Sequence, residues 1–326
     1  SKGETYINVY ARLKESTSWA DAGFAVASEQ IYLGGEIAPV ECAVIGEVSV
    51  DREKDKAIVR FADNMVEIGS DGSLLKWVRN GSEIFKSPMK PYFWKPANDS
   101  QKHNGYNERL GAWRDAADRR EIISFRVERL DSCVEIASSS RLDIGAVLDL
   151  TYRVSGNGYI DVEMRYSPDE QPKPFIPKFG MNVSLPSDFK KVGWYGCGPH
   201  ENYPDRKESA FIGRYEMPLS EFATYYEAPQ DNSNRCDVKG ITIEGDSIPA
   251  IKILAPERGV SFRIWQYSED DIERAAHHYM LPVADVFTLN IDSEIHGVGG
   301  ADAWGARTLE KYSVDGNVPH HLHFRL

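Results

Sequence analysis

Apolar residues recur at every second position in short runs along most of this chain, with Gly, Pro, Asn and Asp between the runs. A period of two sends successive side chains to opposite faces of an extended backbone, so it specifies strands and leaves little room for helices. Residues 6–13 show the pattern clearly. Ile7, Val9, Ala11 and Leu13 fall on one face and Asn8, Tyr10 and Arg12 on the other, as a half-buried strand requires. A second strand is expected over 24–32, and Gly34-Gly35 then opens a linker-like stretch through Pro39. Residues 1–40 therefore read as the end of one small β unit and residues 45–326 as a larger one.

In the larger unit, strands are expected at 57–61, 122–127, 133–137 and 147–154. A hairpin should join 150–154 to 159–166 across Gly156-Asn157-Gly158, with Ile160, Val162, Met164 and Tyr166 on one face. Further strands are expected at 181–185, 241–243, 249–254, 260–266, 286–291 and 321–326. Only two segments invite a helix. These are residues 106–116 and a stretch from a Ser268 cap to about His277, whose first turn carries Glu269, Asp270 and Asp271 at the positive end of its dipole. No regular strand–helix alternation exists, so a (β/α)₈ barrel is excluded and an all-β antiparallel architecture is expected.

With 326 residues, 41% of them hydrophobic, the chain can bury a large core. Its formal charge of -12 argues against nucleic acid or an anionic membrane as partner, since either would need clustered Lys and Arg. Seven Trp and sixteen Tyr suit a neutral ligand such as a sugar, whose C–H faces stack on aromatic rings. Cys42, Cys133, Cys197 and Cys236 are scattered without a CxxC pair, which favours buried free thiols over a zinc site or a disulfide framework. The chain starts at Ser1, without Met, and enters a strand almost at once, as a fragment or processed chain would.

Four runs concentrate polar and aromatic groups. WYGCGPHENYPDRK, residues 194–207, holds Glu201, Asn202, Asp205 and Arg206, and it reads as a loop in which Arg206 pairs with Glu201 or Asp205. YEAPQDNSNRCD, 226–237, adds Gln230, Asn232, Asn234 and Arg235. FWKPANDSQKHNG, 93–105, holds Trp94, Asn98 and Asp99. HGVGGADAWG, 296–305, sets Asp302 and Trp304 behind three glycines. Each run has a purely structural reading, in which side-chain hydrogen bonds hold irregular backbone. Each also has a functional one, in which amides and aromatics meet a sugar.

GPHENYPDR at 198–206, the PQ-to-NR stretch at 229–235 and GVGGADAW at 297–304 resemble, in this order, the C-terminal domain of glycoside hydrolase family 2 β-galactosidases, the β-galactosidase small chain. Residues 1–40, with Trp19-Ala20-Asp21-Ala22-Gly23 and Glu29-Gln30, resemble the end of the immunoglobulin-like domain that precedes it. The resemblance implies a galactose-mutarotase-like supersandwich of antiparallel sheets and a galactoside as substrate. It makes Trp304, with Asp302 beside it, the sugar-contacting group, and Trp94, Glu201, Asn202, Asp205, Arg206, Asn234 and Arg235 members of structural loops. As partners it implies the barrel and N-terminal domains of the same enzyme, in cis or as a large subunit, and allows a homo-oligomer. Mg²⁺ and Na⁺, common in the complete enzymes, belong to those other domains, and no cofactor or metal is assigned to this chain. Ala301, Ala303, Lys95 and Ala97 depart from the better-known bacterial sequences.

Retaining glycosidases hydrolyse through two carboxyl groups about 5 to 5.5 Å apart, and the resemblance places both on the absent barrel. No catalytic residue is therefore expected here. Two other readings remain: a non-catalytic carbohydrate-binding module, and an aldose 1-epimerase that uses His200 with Glu201 or Glu294 with His296. His321 and His323, opposite Leu322, Phe324 and Leu326, read as a solvated strand edge and not as metal ligands.

Overall fold

The computed structural model describes residues 3–37, 46–255, 257–282, 284–302 and 304–326, and its sheets are antiparallel throughout. The largest has nine strands. In order they are Phe211–Pro218, Phe189–Gly198, Gly240–Gly245, Ile251–Leu254, His320–Arg325, Ile160–Pro168, Ala146–Ser155, Cys133–Leu142 and Glu121–Arg129. A five-stranded sheet holds Arg235–Val238, Val260–Trp265, Val286–Ile295, Lys178–Pro186 and Lys90–Tyr92. Another five-stranded sheet runs in chain order from Val48–Arg52 to Ser82–Glu83.

All three sheets feed one apolar core, as the expected supersandwich requires. Leu148, Met164 and Phe324 come from the nine-stranded sheet, Val183, Phe262 and Ile291 from the central five-stranded one, and Val59 and Val66 from the third. The expected hairpin forms, with Val154 opposite Ile160 and Leu148 opposite Tyr166. Ile160, Val162, Met164 and Tyr166 are all buried. Ser268 caps Glu269–Arg274 in a reciprocal capping box with Asp271, and the other expected helix is the short Tyr106–Leu110 with a 3₁₀ turn over Gly111–Trp113.

Three expectations need correction. The ribbon Thr5–Arg12 with Ala25–Gly34 forms, but it is not half-buried: Ile7 and Val9 remain about half exposed. Its polar face is the one turned toward the nine-stranded sheet, where Gln30 exchanges hydrogen bonds with the Ile212 backbone at 2.7 and 3.0 Å and Tyr10 meets Phe211. Among the described residues no sheet lies over the apolar face. His321 and His323 do not lie on an edge, because their strand is the fifth of nine; they pair across it with Glu163 and Asp161. Finally, residues 194–198 are not loop but the end of the strand Phe189–Gly198. Its glycines look like turn signals in sequence, yet they permit close strand approach. A Cβ on Gly196 would stand 2.6 Å from the Val238 Cα.

Cys133, Cys197 and Cys236 are buried free thiols, and Cys42 lies outside the described residues.

The close approach at Gly196 predicts that Gly196→Val destabilises the fold by about 1–3 kcal/mol through overpacking. Urea unfolding would show a lower midpoint; an unchanged midpoint contradicts the crowding.

Candidate functional site

Strand alternation gives the central five-stranded sheet two unlike faces. Phe262, Ile264, Leu289, Ile291, Met181 and Val183 enter the apolar core, while Arg263, Asn290, Asp292, Lys178 and Asn182 point to the opposite side. That second face is also buried, beneath the polar-aromatic runs. Arg263, Lys178, Asn290 and Asp292 have no exposed surface.

The charges are arranged in a chain. Lys178 Nζ lies 2.6 Å from Asp292 and donates to Asn290 Oδ1 at 2.7 Å; Asn290 Nδ2 donates to Glu269 at 2.9 Å. Arg263 stands 3.9 Å from Glu269 and 3.3 Å from Asp231, and Asp231 stands 3.5 Å from Lys95. Lys95 donates to Gln101 Oε1 at 3.2 Å, and Gln101 Nε2 donates to the Gly297 carbonyl at 3.0 Å. Three cations and three carboxylates therefore lead from the sheet into the 93–105, 226–237 and 296–305 runs. Burial pushes the Glu269 and Asp292 carboxyls up and the Lys95 and Lys178 ammonium groups down. At Arg263 burial acts downward too, but Asp231, Asp292 and Glu269 overcome it and raise the guanidinium pKa.

The 194–207 run closes the circle. Asp205 accepts hydrogen bonds from the Val298 and Gly299 amides at 3.1 and 2.6 Å. Asn202 and Asn234 bind one another's backbone, and Asn202 Oδ1 takes the Cys236 N–H at 2.8 Å. Glu201 receives the Ser233 amide at 2.8 Å, the Tyr226 hydroxyl and Arg206; these hydrogen bonds outweigh its burial and hold its carboxyl below the usual range. Arg235 donates to the Pro199 and Ser233 carbonyls and lies 4.4 Å from the Phe222 ring centroid. Trp94 is buried, its indole N–H 2.9 Å from Glu273, and offers no surface platform.

Trp304 is the opposite case. It is 86% exposed on a loop fixed from several sides. Asp302 Oδ1 accepts the Trp304 and Ala306 amides at 2.8 and 3.1 Å, and those bonds hold its carboxyl below the usual range. Asn98 Nδ2 donates to the Val298 carbonyl at 2.6 Å, and Thr308 reaches the Gly297 and Gly299 carbonyls. An exposed indole on such a braced loop can cover one face of a sugar ring without ordering itself first.

The residue pairs considered for an epimerase are not brought together. His200 bonds Ser209, Glu201 is taken up by its loop partners, and Glu294 pairs with His320 in place of His296. His296 is buried against Tyr106 and Phe175. Asp231, Arg263, Glu269, Lys178 and Asp292 were missed in the sequence. The available signal was a charge on an otherwise apolar strand, as Arg263 is in VSFRIW.

Residues 65–326 match the family model "Beta galactosidase small chain", and residues 1–34 match "Beta-galactosidase, domain 4". The chain is 30% identical over 318 residues to the beta-galactosidase of Priestia megaterium, covering 96% of this chain and 30% of that protein. It is 27% identical over 321 residues to that of Halalkalibacterium halodurans, covering 95% and 31%. It thus spans about a third of the length of these relatives. A galactose 1-epimerase from Lactobacillus acidophilus aligns in structure with a TM-score of 0.39 at 8% identity, covering 87% of this chain and 98% of that one.

Burial lowers the His296 pKa from 6.5 to about 3. The folded state therefore stays neutral while the unfolded state binds a proton below pH 6.5, so this residue's contribution to stability is lost as pH falls from about 6.5 toward about 3. Denaturation curves across that range should steepen in pH dependence relative to His296→Phe; identical profiles contradict a neutral buried imidazole.

Proposed function

The chain belongs to the β-galactosidase small-chain family, and on that premise we propose that it is the C-terminal portion of a β-galactosidase, acting on terminal β-D-galactosides such as lactose. In this reading the catalytic acid and nucleophile lie on a barrel domain, and this chain completes the mouth of the sugar site. Mg²⁺ and Na⁺ are assigned to the other domains.

The observation that carries the proposal is Trp304, an indole 86% exposed yet held by a loop tied to the buried charge chain. Its free face suits the sugar or aglycone, and Asp302 sets the turn that presents it. The outward apolar face of the N-terminal ribbon, with Ile7 and Val9, supports a second part of the reading. Residues 1–40 complete an immunoglobulin-like sandwich whose remaining strands cover that face.

The test is complementation. Mixing this chain with the matching N-terminal portion should restore hydrolysis of an aryl galactoside, while this chain alone gives none above a vector-only preparation. Trp304→Ala in the mixture should lower kcat/KM roughly tenfold, the order of one lost aromatic contact. Equal activity of the two mixtures would remove Trp304 from the sugar site, and turnover by the isolated chain would overturn the division of labour.

A further inference from the structure

A cavity of about 260 Å³ lies between residues 220–232 and 267–281. None of its eleven lining residues is Asp, Glu, Lys or Arg. Four other cavities on this chain each carry both carboxylates and cationic side chains. In a protein of formal charge -12, such a lining selects a neutral ligand.

Its walls are aromatic, from Tyr225, Tyr226, Tyr267 and His278, and its hydroxyl and amide groups come from Ser220, Thr224 and Asn232. Tyr225 is 61% exposed, yet it is not loose. Its hydroxyl donates to Glu227 at 2.6 Å, and its ring centroid lies 4.3 Å from that of His278, whose backbone N–H is itself bonded to the Glu227 carbonyl. The Thr224 amide is held by Ser233 Oγ at 2.8 Å, and Asn232 by the Gln230 carbonyl at 2.9 Å. For Tyr225 and Asn232, part of the side-chain entropy that binding would otherwise remove is already lost.

We infer that this cavity binds a neutral pyranose, with the Tyr225 ring under its C–H face and the Thr224 and Ser220 hydroxyls among its hydrogen-bonding partners. A purely apolar occupant fits less well, because it would bury those hydroxyls without partners. An anionic one would find no Lys or Arg among the lining residues, and the Glu227 and Glu201 carboxylates behind the wall are already engaged by the Tyr225 and Tyr226 hydroxyls. Gln230 Nε2 reaches Asp99 at 3.4 Å, and Gly305 packs on His103 at the other end of the short helix Asp99–His103, so the cavity lies on the flank that also carries the Trp304 loop. The inference does not rest on Trp304 or on the galactoside reading.

Saturation-transfer NMR of the whole chain with lactose as probe tests it. Transfer should persist in Trp304→Ala. Binding should weaken about tenfold in Tyr225→Ala, stay near wild type in Tyr225→Phe, which keeps the ring, and weaken in Thr224→Val, which removes only the hydroxyl. Circular dichroism would confirm that each variant is folded. Absence of transfer in wild type, wild-type affinity in Tyr225→Ala, or loss of all transfer in Trp304→Ala would each overturn the assignment.

Discussion

A charged side chain withdrawn from water needs its charge compensated by the groups around it, and this chain packs six of them against one face of its central sheet. Lys178, Asp292, Glu269, Arg263, Asp231 and Lys95 succeed one another across the outer side of the central sheet. Such groups add little net stability compared with well-packed apolar residues, but removing one partner leaves its neighbour uncompensated, at a cost of about 3–5 kcal/mol. The consequence is geometric. Asp231 and Lys95 stand on different polar-aromatic runs, so neither run can leave the sheet without exposing an unpaired charge to a low-dielectric interior. The loops behave as part of the fold, not as its periphery.

That arrangement explains how a loop rich in glycine can present a tryptophan. Gly297 accepts from Gln101, Asp205 holds the next two amides, and Asp302 closes the turn. The order passes outward from Arg263 through its ion pair with Asp231 and that of Asp231 with Lys95, and from Lys95 through hydrogen bonds by Gln101 to Gly297. The four polar-aromatic runs are thus the ones that this charge chain and its hydrogen bonds join together.

The sequence was most legible where local chemistry and tertiary packing agree. The 146–168 hairpin is an example, since its turn residues and its buried alternation both specify one register; the Ser268 cap is another. Reading failed where a residue served a distant neighbour. Gly196 and Gly198 looked like turns because nothing local reveals that Val238 and Tyr215 come so close to them. The N-terminal ribbon kept its alternation but turned its polar face inward, since Gln30 finds the Ile212 backbone there. In the site, Asn202, Asp205 and Asn234 were visible as loop formers. The charges beneath them were not, because a lone Arg263 or Lys178 in a strand pattern carries no sign of the carboxylate it will meet.

Native-state amide hydrogen exchange in Arg263→Met tests the central claim, that the buried charges hold the loops. Losing Arg263 leaves Asp231 and Glu269 without their shared cation, so the Val298 and Gly299 amides, together with those of residues 233–236, should exchange faster as a group than the 146–168 hairpin. Loop amides that exchange at wild-type rates in a variant of wild-type stability would contradict it.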